Sequence, residues 1–366
     1  MPKQKFYSLE PIMKQAPDAY YYVVFGGRSS GKSYSAKKHG LETYAKTGKQ
    51  TAIIRRWSED FTGKRGQTLF DDLVSNGEVS RITGGKWTGV YYYGSRWFLC
   101  KFEDGKRITD ERPFCYAFSI SSMEHDKSTS YPDVVNVVFD EFLTRGAYLP
   151  DEFVLFMNCL SSIIRNRKDV KIFMLGNTVN KYCPYFKEMG LTHVRQMKKG
   201  DIDIYKYGDS GLTVAVEYAD SPNTFKPSDV YFAFDNPSTK LKMITEGAWE
   251  LDIYPHLQEK HTEKEIQFSY FVIFKEHILQ ADIVVRKNQA YTFIHKKTTP
   301  IKHENQDIVF TTEADQRNNY FGRLTKPTNK AGKKILYFFV NNKVFYASNE
   351  VGEIMSHYIN WSNTMK

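Results

Sequence analysis

Long hydrophobic runs are missing from this sequence. No stretch approaches the roughly 18 apolar residues that a membrane-spanning helix requires, and the first five residues lead into no signal-peptide core. We therefore expect an intracellular chain with no membrane partner. Cysteine is also scarce, with four in 366 residues and no C-x-x-C pair, and H-E-x-x-H is absent. Reduced, mostly buried thiols are expected, and structural zinc is not.

Neither disorder nor a single small domain fits the composition. Hydrophobic residues make up 41% and charged residues 25%, which is typical of globular proteins. A length of 366 residues favours two or three domains. The formal charge of +9 indicates a polyanionic partner, although scattered surface lysines produce the same total.

A strand, a glycine-rich loop and a helix follow one another near the start of the chain. Residues 20–25 (YYYVVF) are typical of a buried strand, and good helix formers occupy residues 33–46. Between them the sequence matches G-x-x-x-x-G-K-[ST]. The predicted nucleotide-binding residues in this loop are Gly26, Gly27, Arg28, Ser29, Ser30, Gly31, Lys32 and Ser33.

Each residue type in the loop has a role in phosphate chemistry. The glycines let the backbone curl so that N–H groups point at phosphate oxygens near the positive end of a helix. Lys32 supplies a positive charge for the β- and γ-phosphates, and the Ser33 hydroxyl is a predicted Mg²⁺ ligand. ATP with Mg²⁺ is therefore the expected cofactor.

A second hydrophobic strand ends in two acids. Residues 134–141 read VVNVVFDE, which predicts that Asp140 holds the metal shell and that Glu141 orients and polarises the attacking water. A second acid at this position favours hydrolysis over transfer of the phosphoryl group to a small acceptor.

Two further strands direct polar residues toward the same edge. Residues 50–57 deliver Arg55 and Arg56, and residues 170–178 end at Asn177 and Thr178. Because ligands of open α/β sheets bind at the carboxyl ends of the strands, Arg56 and Asn177 are predicted to reach the nucleotide.

Two arginines end the predicted helix over residues 156–167. Arg165 and Arg167 there either compensate the helix dipole or supply an arginine finger to a neighbouring subunit.

Several of these segments together resemble one known family, the phi-29-like phage DNA-packaging ATPases. These proteins are relatives of terminase large subunits and belong to the additional-strand, catalytic-glutamate class of P-loop motors. The resemblance rests on Gly26–Ser33, Lys127–Asp133 (KSTSYPD), Val137–Phe142 (VVFDEF), Ile164–Arg167 (IRNR) and Gly176-Asn177. It is detailed over about residues 6–60 and 118–190 and coarse elsewhere.

The resemblance implies a ring, commonly a pentamer, that threads double-stranded viral DNA into a procapsid at its portal. It implies that Lys32 and Ser33 bind ATP and Mg²⁺, that Asp140 holds the metal and that Glu141 activates water. Arg165 would be a catalytic finger acting between subunits, and Lys127 a second basic residue at the subunit interface. The protein would reside in the host cytoplasm and, transiently, at the portal vertex of the procapsid, with a structural RNA as a further candidate partner.

The expected domain order is an α/β P-loop ATPase domain (1–218), with a RecA-like sheet covered by helices on both faces, a linker or lid (219–265) and a C-terminal α+β domain (266–366). Glycine pairs and aromatic runs predict a β-hairpin insertion at 60–120, with Thr62–Gly66 as a candidate DNA contact.

The C-terminal domain opens with three consecutive strands, as RNase H-like terminase nucleases do. Such nucleases need an aspartate in the first strand to hold two metals, and Phe268–Phe274 contains no acid. Residues 263–366 hold 15 Lys+Arg and 10 Asp+Glu. We therefore expect a vestigial nuclease that grips nucleic acid without cutting it.

The sequence thus predicts an ATP-hydrolysing viral DNA-packaging motor. Two alternatives stay open. One is another P-loop nucleic-acid motor, either a helicase or a terminase that also cuts DNA. The other is a nucleotide-bound ring scaffold that hydrolyses nothing.

Overall fold

The computed structural model describes residues 6–27, 30–125, 129–144, 148–149, 151–177, 183–220, 254–257, 261–286 and 289–364. The chain divides into two compact units. Unit 1 contains the described residues of 1–145 and 151–220, and unit 2 contains Tyr148, Leu149 and the described residues from 254 onward. Most of the predicted linker, residues 221–253 and 258–260, lies outside the described residues.

Unit 1 is built on a large sheet flanked by short and long helices. Its described helices are α1 (Glu10–Gln15), α2 (Lys32–Thr47), α3 (Lys64–Gln67), α4 (Asp71–Ser75), α5 (Glu78–Ile82), α6 (Glu152–Ile164) and α7 (Pro184–Glu188). Its strands are β1 (Tyr21–Gly26), β2 (Gln50–Arg55), β3 (Gly89–Tyr93), β4 (Arg96–Glu103), β5 (Lys106–Thr109), β6 (Cys115–Ser119), β7 (Val134–Asp140), β8 (Lys171–Asn177), β9 (Ile202–Tyr207) and β10 (Leu212–Ala219).

The centre of this sheet is parallel. The strand order among the described residues is β3-β4-β6-β2-β7-β8-β1-β10-β9, with β5 paired to β4. Strands β6, β2, β7, β8, β1 and β10 run in one direction. Their carboxyl ends therefore meet at one edge, where parallel α/β sheets bind ligands.

Helices cover both faces of the sheet, as expected from the sequence. On β7, Val138 belongs to the apolar cluster that includes Ala36 of α2. The next residue, Phe139, points to the opposite face and stacks on Phe156 of α6, with ring centroids 4.9 Å apart. This alternation explains why β7 carries apolar residues for both faces, with Asn136 and Asp140 as its polar positions.

The predicted β-hairpin insertion is present but begins with helices. Residues 58–82 form a short 3₁₀ turn and α3 to α5, and β3, β4 and β5 follow as an antiparallel array. No helix among the described residues is long and apolar enough to span a membrane.

Unit 2 opens with the predicted three-strand meander. Its strands are β11 (Ile266–Phe274), β12 (His277–Arg286), β13 (Gln289–Lys296), β14 (Val309–Thr311), β15 (Tyr320–Phe321) and β16 (Val344–Tyr346), and its helices are α8 (Lys330–Val340) and α9 (Asn349–Thr364). Strands β11, β12 and β13 pair antiparallel in sequence, in a sheet of order β15-β14-β11-β12-β13-β16.

Candidate functional site

The glycine-rich loop joins β1 to the N-terminus of α2. Gly31 immediately precedes α2 and has φ +96°, a left-handed conformation that glycine adopts without steric cost. Gly26 ends β1 beside β10, and a Cβ there would lie 2.8 Å from the Ala219 carbonyl oxygen. Both glycines are therefore required by the backbone. Arg28 and Ser29 lie outside the described residues.

An N-terminal segment braces the loop from one side. The Tyr7 amide donates to the Ser30 carbonyl at 2.9 Å, and the Tyr7 hydroxyl donates to Glu217 Oε2 at 2.5 Å. Burial raises the pKa of Glu217, and its bond with Tyr7 joins the loop to β10. The sequence offered no pattern that pairs residues 210 positions apart, so this brace was not predicted.

Lys32 lies folded into the loop. Its ammonium donates to the Gly27 carbonyl at 2.7 Å and to Ser30 Oγ at 3.0 Å, and it lies 3.4 Å from Asn177 Oδ1. Burial lowers the pKa of Lys32 to about 8, against the opposing influence of Asp140. A desolvated cation held only by neutral oxygens is well suited to bind phosphate anions. Asn177 thus lies beside the loop, and its contact with the nucleotide stays a prediction.

Ser33 and Asp140 are brought together from α2 and β7. The Ser33 hydroxyl donates to Asp140 Oδ1 at 2.7 Å, and Asp140 is buried. Arg55 Nη2 donates to the other carboxylate oxygen, also at 2.7 Å. A hydroxyl beside a carboxylate is the oxygen donor set that Mg²⁺ prefers, so the chemistry of these residues fits the metal. No group of three or more His, Cys, Asp or Glu side chains positioned to bind a metal occurs among the described residues.

Glu141 follows Asp140 at the end of β7 in an unusual backbone conformation. Its φ is +64°, and its side chain is 60% exposed. The following amide, of Phe142, donates to the Leu175 carbonyl at 3.1 Å, and Arg55 Nη1 lies 4.0 Å from Glu141 Oε2. The turn thus directs the second acid out of the sheet edge, although a non-glycine residue pays strain there.

Arg56 does not lie where the sequence prediction placed it. Its guanidinium forms a buried bidentate pair with Glu152, with Nε–Oε2 2.7 Å and Nη2–Oε1 2.9 Å. It also donates to the carbonyl of Phe142 at 2.9 Å, while Tyr185 donates to Glu152 at 2.7 Å. These contacts assign Arg56 to supporting the turn after β7 rather than to the nucleotide. The adjacent Arg55 is the arginine at the candidate metal site.

Arg165 lies at the surface, at the end of α6, with φ +53°. Its Nη2 donates to the Thr129 carbonyl at 3.2 Å. Arg167 is half-buried and donates to the carbonyls of Tyr131 and Pro132 at 3.2 and 3.1 Å. Arg165 and Arg167 thus both contact the 129–132 segment, and the side chain of Arg165 is exposed to solvent. Lys127 lies outside the described residues.

The C-terminal sheet has an acid on its second strand, not its first. Asp282 of β12 is buried and accepts from Ser269 Oγ at 2.6 Å and Gln280 Nε2 at 2.9 Å. Its other oxygen lies 3.1 Å from His295 Nε2. Asp315 pairs with Arg317 on the surface. Asp282 and Asp315 are thus engaged in hydrogen bonds or ion pairs, and β11 contains no acid.

Comparison with known proteins gives consistent matches. The family described as podovirus DNA encapsidation protein (Gp16) matches residues 1–359. A DNA packaging protein of Bacillus phage B103 is 24% identical over 240 residues, covering 63% of this chain and 61% of that protein. A DNA packaging protein of Bacillus phage phi29 is 27% identical over 189 residues, covering 51% of this chain and 50% of that protein. The chain thus spans one half to three fifths of these relatives.

Two solved structures share the fold over nearly the whole chain. The bacteriophage Phi-29 viral genome packaging motor assembly matches with a TM-score of 0.56 at 21% identity, covering 98% of this chain and 99% of that chain. The Phi-28 gp11 DNA packaging motor matches with a TM-score of 0.55 at 19% identity, covering 100% and 99%.

Proposed function

The chain belongs to the podovirus DNA encapsidation protein (Gp16) family, and from this premise we propose that it is the ATP-hydrolysing subunit of a phage DNA-packaging motor. In this proposal the subunits form a ring, commonly a pentamer, at the portal of a procapsid and translocate double-stranded DNA into it. The observation that carries the proposal is the meeting of Lys32 and Ser33 with Asp140 and Asn177 at one sheet edge.

Binding of ATP begins with the loop and α2. Lys32 exchanges its neutral carbonyl partners for the β- and γ-phosphates, and the amides at the start of α2 face the same anion. Ser33 and Asp140 would hold Mg²⁺, which supplies charge neutralisation for the phosphates when bound. Arg55, now paired with Asp140, keeps that carboxylate oriented.

Hydrolysis then depends on Glu141. Its exposed carboxylate stands beyond the sheet edge, where it orients a water for in-line attack on the γ-phosphate and accepts a proton from it. Arg56 contributes indirectly, because its bonds to the carbonyls of Glu141 and Phe142 hold the turn that directs Glu141.

Coupling between subunits is assigned to Arg165. Arg165 is an exposed arginine at a helix end, and its guanidinium donates to the Thr129 carbonyl, a contact that it can exchange for the γ-phosphate of an adjacent subunit. Lys127 would act as a second basic residue at the interface between neighbouring subunits.

Residues 266–366 act in the proposal as a vestigial nuclease domain that grips DNA. Support comes from the meander without an acid on β11 and from the excess of basic residues. A DNA-cutting terminase is the nearest alternative, and metal-dependent cleavage of plasmid DNA would favour it. The proposed surroundings are the host cytoplasm and the portal vertex, with the portal, DNA and a structural RNA as partners.

The experiment that tests the proposal compares ATPase rates of the purified chain alone, with double-stranded DNA, and with portal-bearing procapsids. Stimulation by DNA and procapsids is expected, and Lys32→Ala should abolish it. Lys46→Ala, an exposed lysine at the far end of α2, is the matched control. Absence of ATP hydrolysis would favour the non-hydrolysing scaffold, and hydrolysis that neither DNA nor procapsids stimulate would contradict the packaging-motor proposal.

A further inference from the structure

The antiparallel insertion of β3, β4 and β5 buries Trp97 and Leu99 on one face and exposes aromatic side chains on the other. Directly opposed residues share a face, and the register opposes Tyr91 to Phe98, Tyr93 to Arg96 and Phe102 to Arg107. Because side chains alternate along each strand, these six residues lie on the same side. We call this side the open face: Tyr91, Tyr93, Arg96, Phe98, Phe102 and Arg107.

The opposite side of the insertion packs against the residues that precede β3. Trp97 is fully buried, and it packs against Phe61 and Phe70 with ring centroids 5.8 and 5.3 Å away. Its indole N–H donates to the Gly66 carbonyl at 2.8 Å. The Trp97 side therefore supplies a core that fixes the strands, whereas on the open face Cys100 is buried and the rings of Tyr93 and Phe102 stay exposed.

Aromatic surface on the open face is unusually exposed. Tyr93 and Phe102 are each 69% exposed, among the highest values for large apolar side chains in the described residues. The rings of Tyr91 and Tyr93 are nearly parallel, with an interplanar angle of 7° and centroids 6.3 Å apart. The Arg107 guanidinium lies 3.5 Å from the centroid of the Tyr91 ring. A stacked guanidinium extends the flat surface and adds a positive charge.

The charged side chains on the open face indicate which kind of partner binds there. Within β3, β4 and β5, all of whose residues are described, the charged side chains on the open face are Arg96 and Arg107. Glu103 alternates to the other side, opposite Lys106. Flat rings beside arginines without acids match a ligand that combines apolar planes with an anionic backbone. Unpaired nucleic-acid bases stack on such rings, and their phosphates pair with arginine.

We propose that the open face binds single-stranded DNA by stacking unpaired bases on its aromatic side chains. The choice of DNA rests on the proposed function, since the family is described by DNA encapsidation. A second copy of the chain is a poorer occupant, because the protein carries a net charge of +9 and offers the two arginines less negative charge than phosphates do.

The insertion is also connected to the nucleotide loop. Lys37 of α2 donates to both carboxylate oxygens of Asp72 in α4 at 2.7 Å, and Lys38 pairs with Glu78 of α5 at 3.2 Å. Helix α2 begins at Lys32, so the elements beneath the open face contact the helix that holds the phosphates. DNA bound on the open face is therefore expected to change the ATPase rate as well.

The test measures anisotropy of a labelled 20-nucleotide dT strand and of a 20-base-pair duplex with the full chain, without nucleotide. The Tyr93→Ala/Phe102→Ala/Arg107→Ala variant should bind the single strand at least about 25-fold more weakly, since each of the two lost rings should cost about fivefold or more. Duplex affinity should stay within about twofold. Lys106→Ala and Ile108→Ala, on the same strand but the opposite side, are the matched controls.

Three results would overturn the proposal. The first is unchanged single-strand affinity in the triple variant, and the second is equal loss in the controls. The third is tighter binding of a 20-nucleotide U strand than of the dT strand, which would assign the face to RNA. Because binding is measured without ATP, a failure here leaves ATP hydrolysis untouched, and a failed ATPase assay leaves this result untouched.

Discussion

Ser33 and Asp140 are joined by a 2.7 Å hydrogen bond although 107 residues separate them in sequence. The contact brings the first turn of α2 onto the carboxyl end of β7. It depends on the parallel pairing of β7 with β8 and of β8 with β1, which aligns Asp140, Asn177 and Gly26 along one edge. A preformed pair of oxygen donors reduces the ordering that metal binding would otherwise require.

Replacing Ser33 tests this pair directly. Ser33→Ala removes one of the two donors and leaves Asp140 with Arg55 alone, so Mg²⁺-dependent ATP binding should weaken about tenfold or more. Titration of ATP with and without Mg²⁺ by calorimetry measures the effect. Thr47→Ala, at the other end of α2, is the control and should bind as the unmodified chain does. Equal ATP affinity in Ser33→Ala would contradict the assignment.

The buried Arg56–Glu152 pair is expected to contribute to the stability of the fold rather than to ligand binding. Arg56→Ala leaves a buried carboxylate without its cation and should lower the free energy of unfolding by about 3–5 kcal/mol. The double variant Arg56→Leu/Glu152→Leu should be less destabilised than either single one, since neither charge is then left unpaired. Urea denaturation followed by circular dichroism measures this, with Lys14→Ala as a surface ion-pair control that should show no change. Additive losses in the double variant would show that the pair is not coupled.

Patterns that are local in sequence predicted most of the site. The strand–loop–helix order around Gly26–Ser33 and the apolar strand before Asp140 each follow from side-chain periodicity and spacing, and Asn177 follows from strand direction. The sequence likewise predicts the three strands that open the sheet of unit 2. In each case the signal lies within one continuous stretch of the sequence.

Contacts between distant residues were not predictable in this way. Arg55 and Arg56 are adjacent at the end of β2, and alternation alone sends them to opposite sides without saying which side holds the metal-binding acid. The sequence analysis assigns Arg56 to the nucleotide, whereas the structure places Arg55 beside Asp140. Glu152, on the amphipathic helix α6, gave no sequence signal that it would be buried against Arg56.

His295 and Asp282 predict a pH-dependent stability of unit 2. The hydrogen bond with Asp282 raises the pKa of His295 above 6.5. The stability that protonated His295 adds to the folded state is therefore fully present below pH 6.5, and it is lost as the pH rises through the raised pKa. Burial raises the pKa of Asp282, but its hydrogen bonds outweigh burial and lower the pKa below 3.8. The contribution of Asp282 is therefore lost only in stronger acid.

The expected result is that His295→Gln lowers the Tm most between about pH 4 and 6.5, with a difference that shrinks toward pH 9. Thermal melts of both proteins across this range measure it. His303→Gln, at an exposed histidine of the same unit, is the control and should leave the Tm close to that of the unmodified chain. A His295→Gln difference that stays constant with pH would show that the pair is not ionised as described.

Arg165 predicts that active sites are completed between subunits. Arg165→Ala should reduce the ATPase rate by about 10³-fold or more while ATP affinity is retained. Mixing Arg165→Ala subunits with Glu141→Gln subunits, each inactive alone, should restore part of the rate, because some interfaces then combine an intact Glu141 with an intact Arg165. No recovery on mixing, together with normal assembly by light scattering, would place the finger within its own subunit.

Glu141→Gln gives the most direct test of the central claim that this chain hydrolyses ATP with Asp140 and Glu141 at the end of β7. The substitution keeps the shape of the side chain and removes its ability to accept a proton. Single-turnover hydrolysis of labelled ATP should slow by about 10²–10⁴-fold, while ATP binding is unchanged. Glu103→Gln, an exposed carboxylate at the end of β4, should hydrolyse at the normal rate. Hydrolysis by Glu141→Gln at the rate of the unmodified chain would contradict the account.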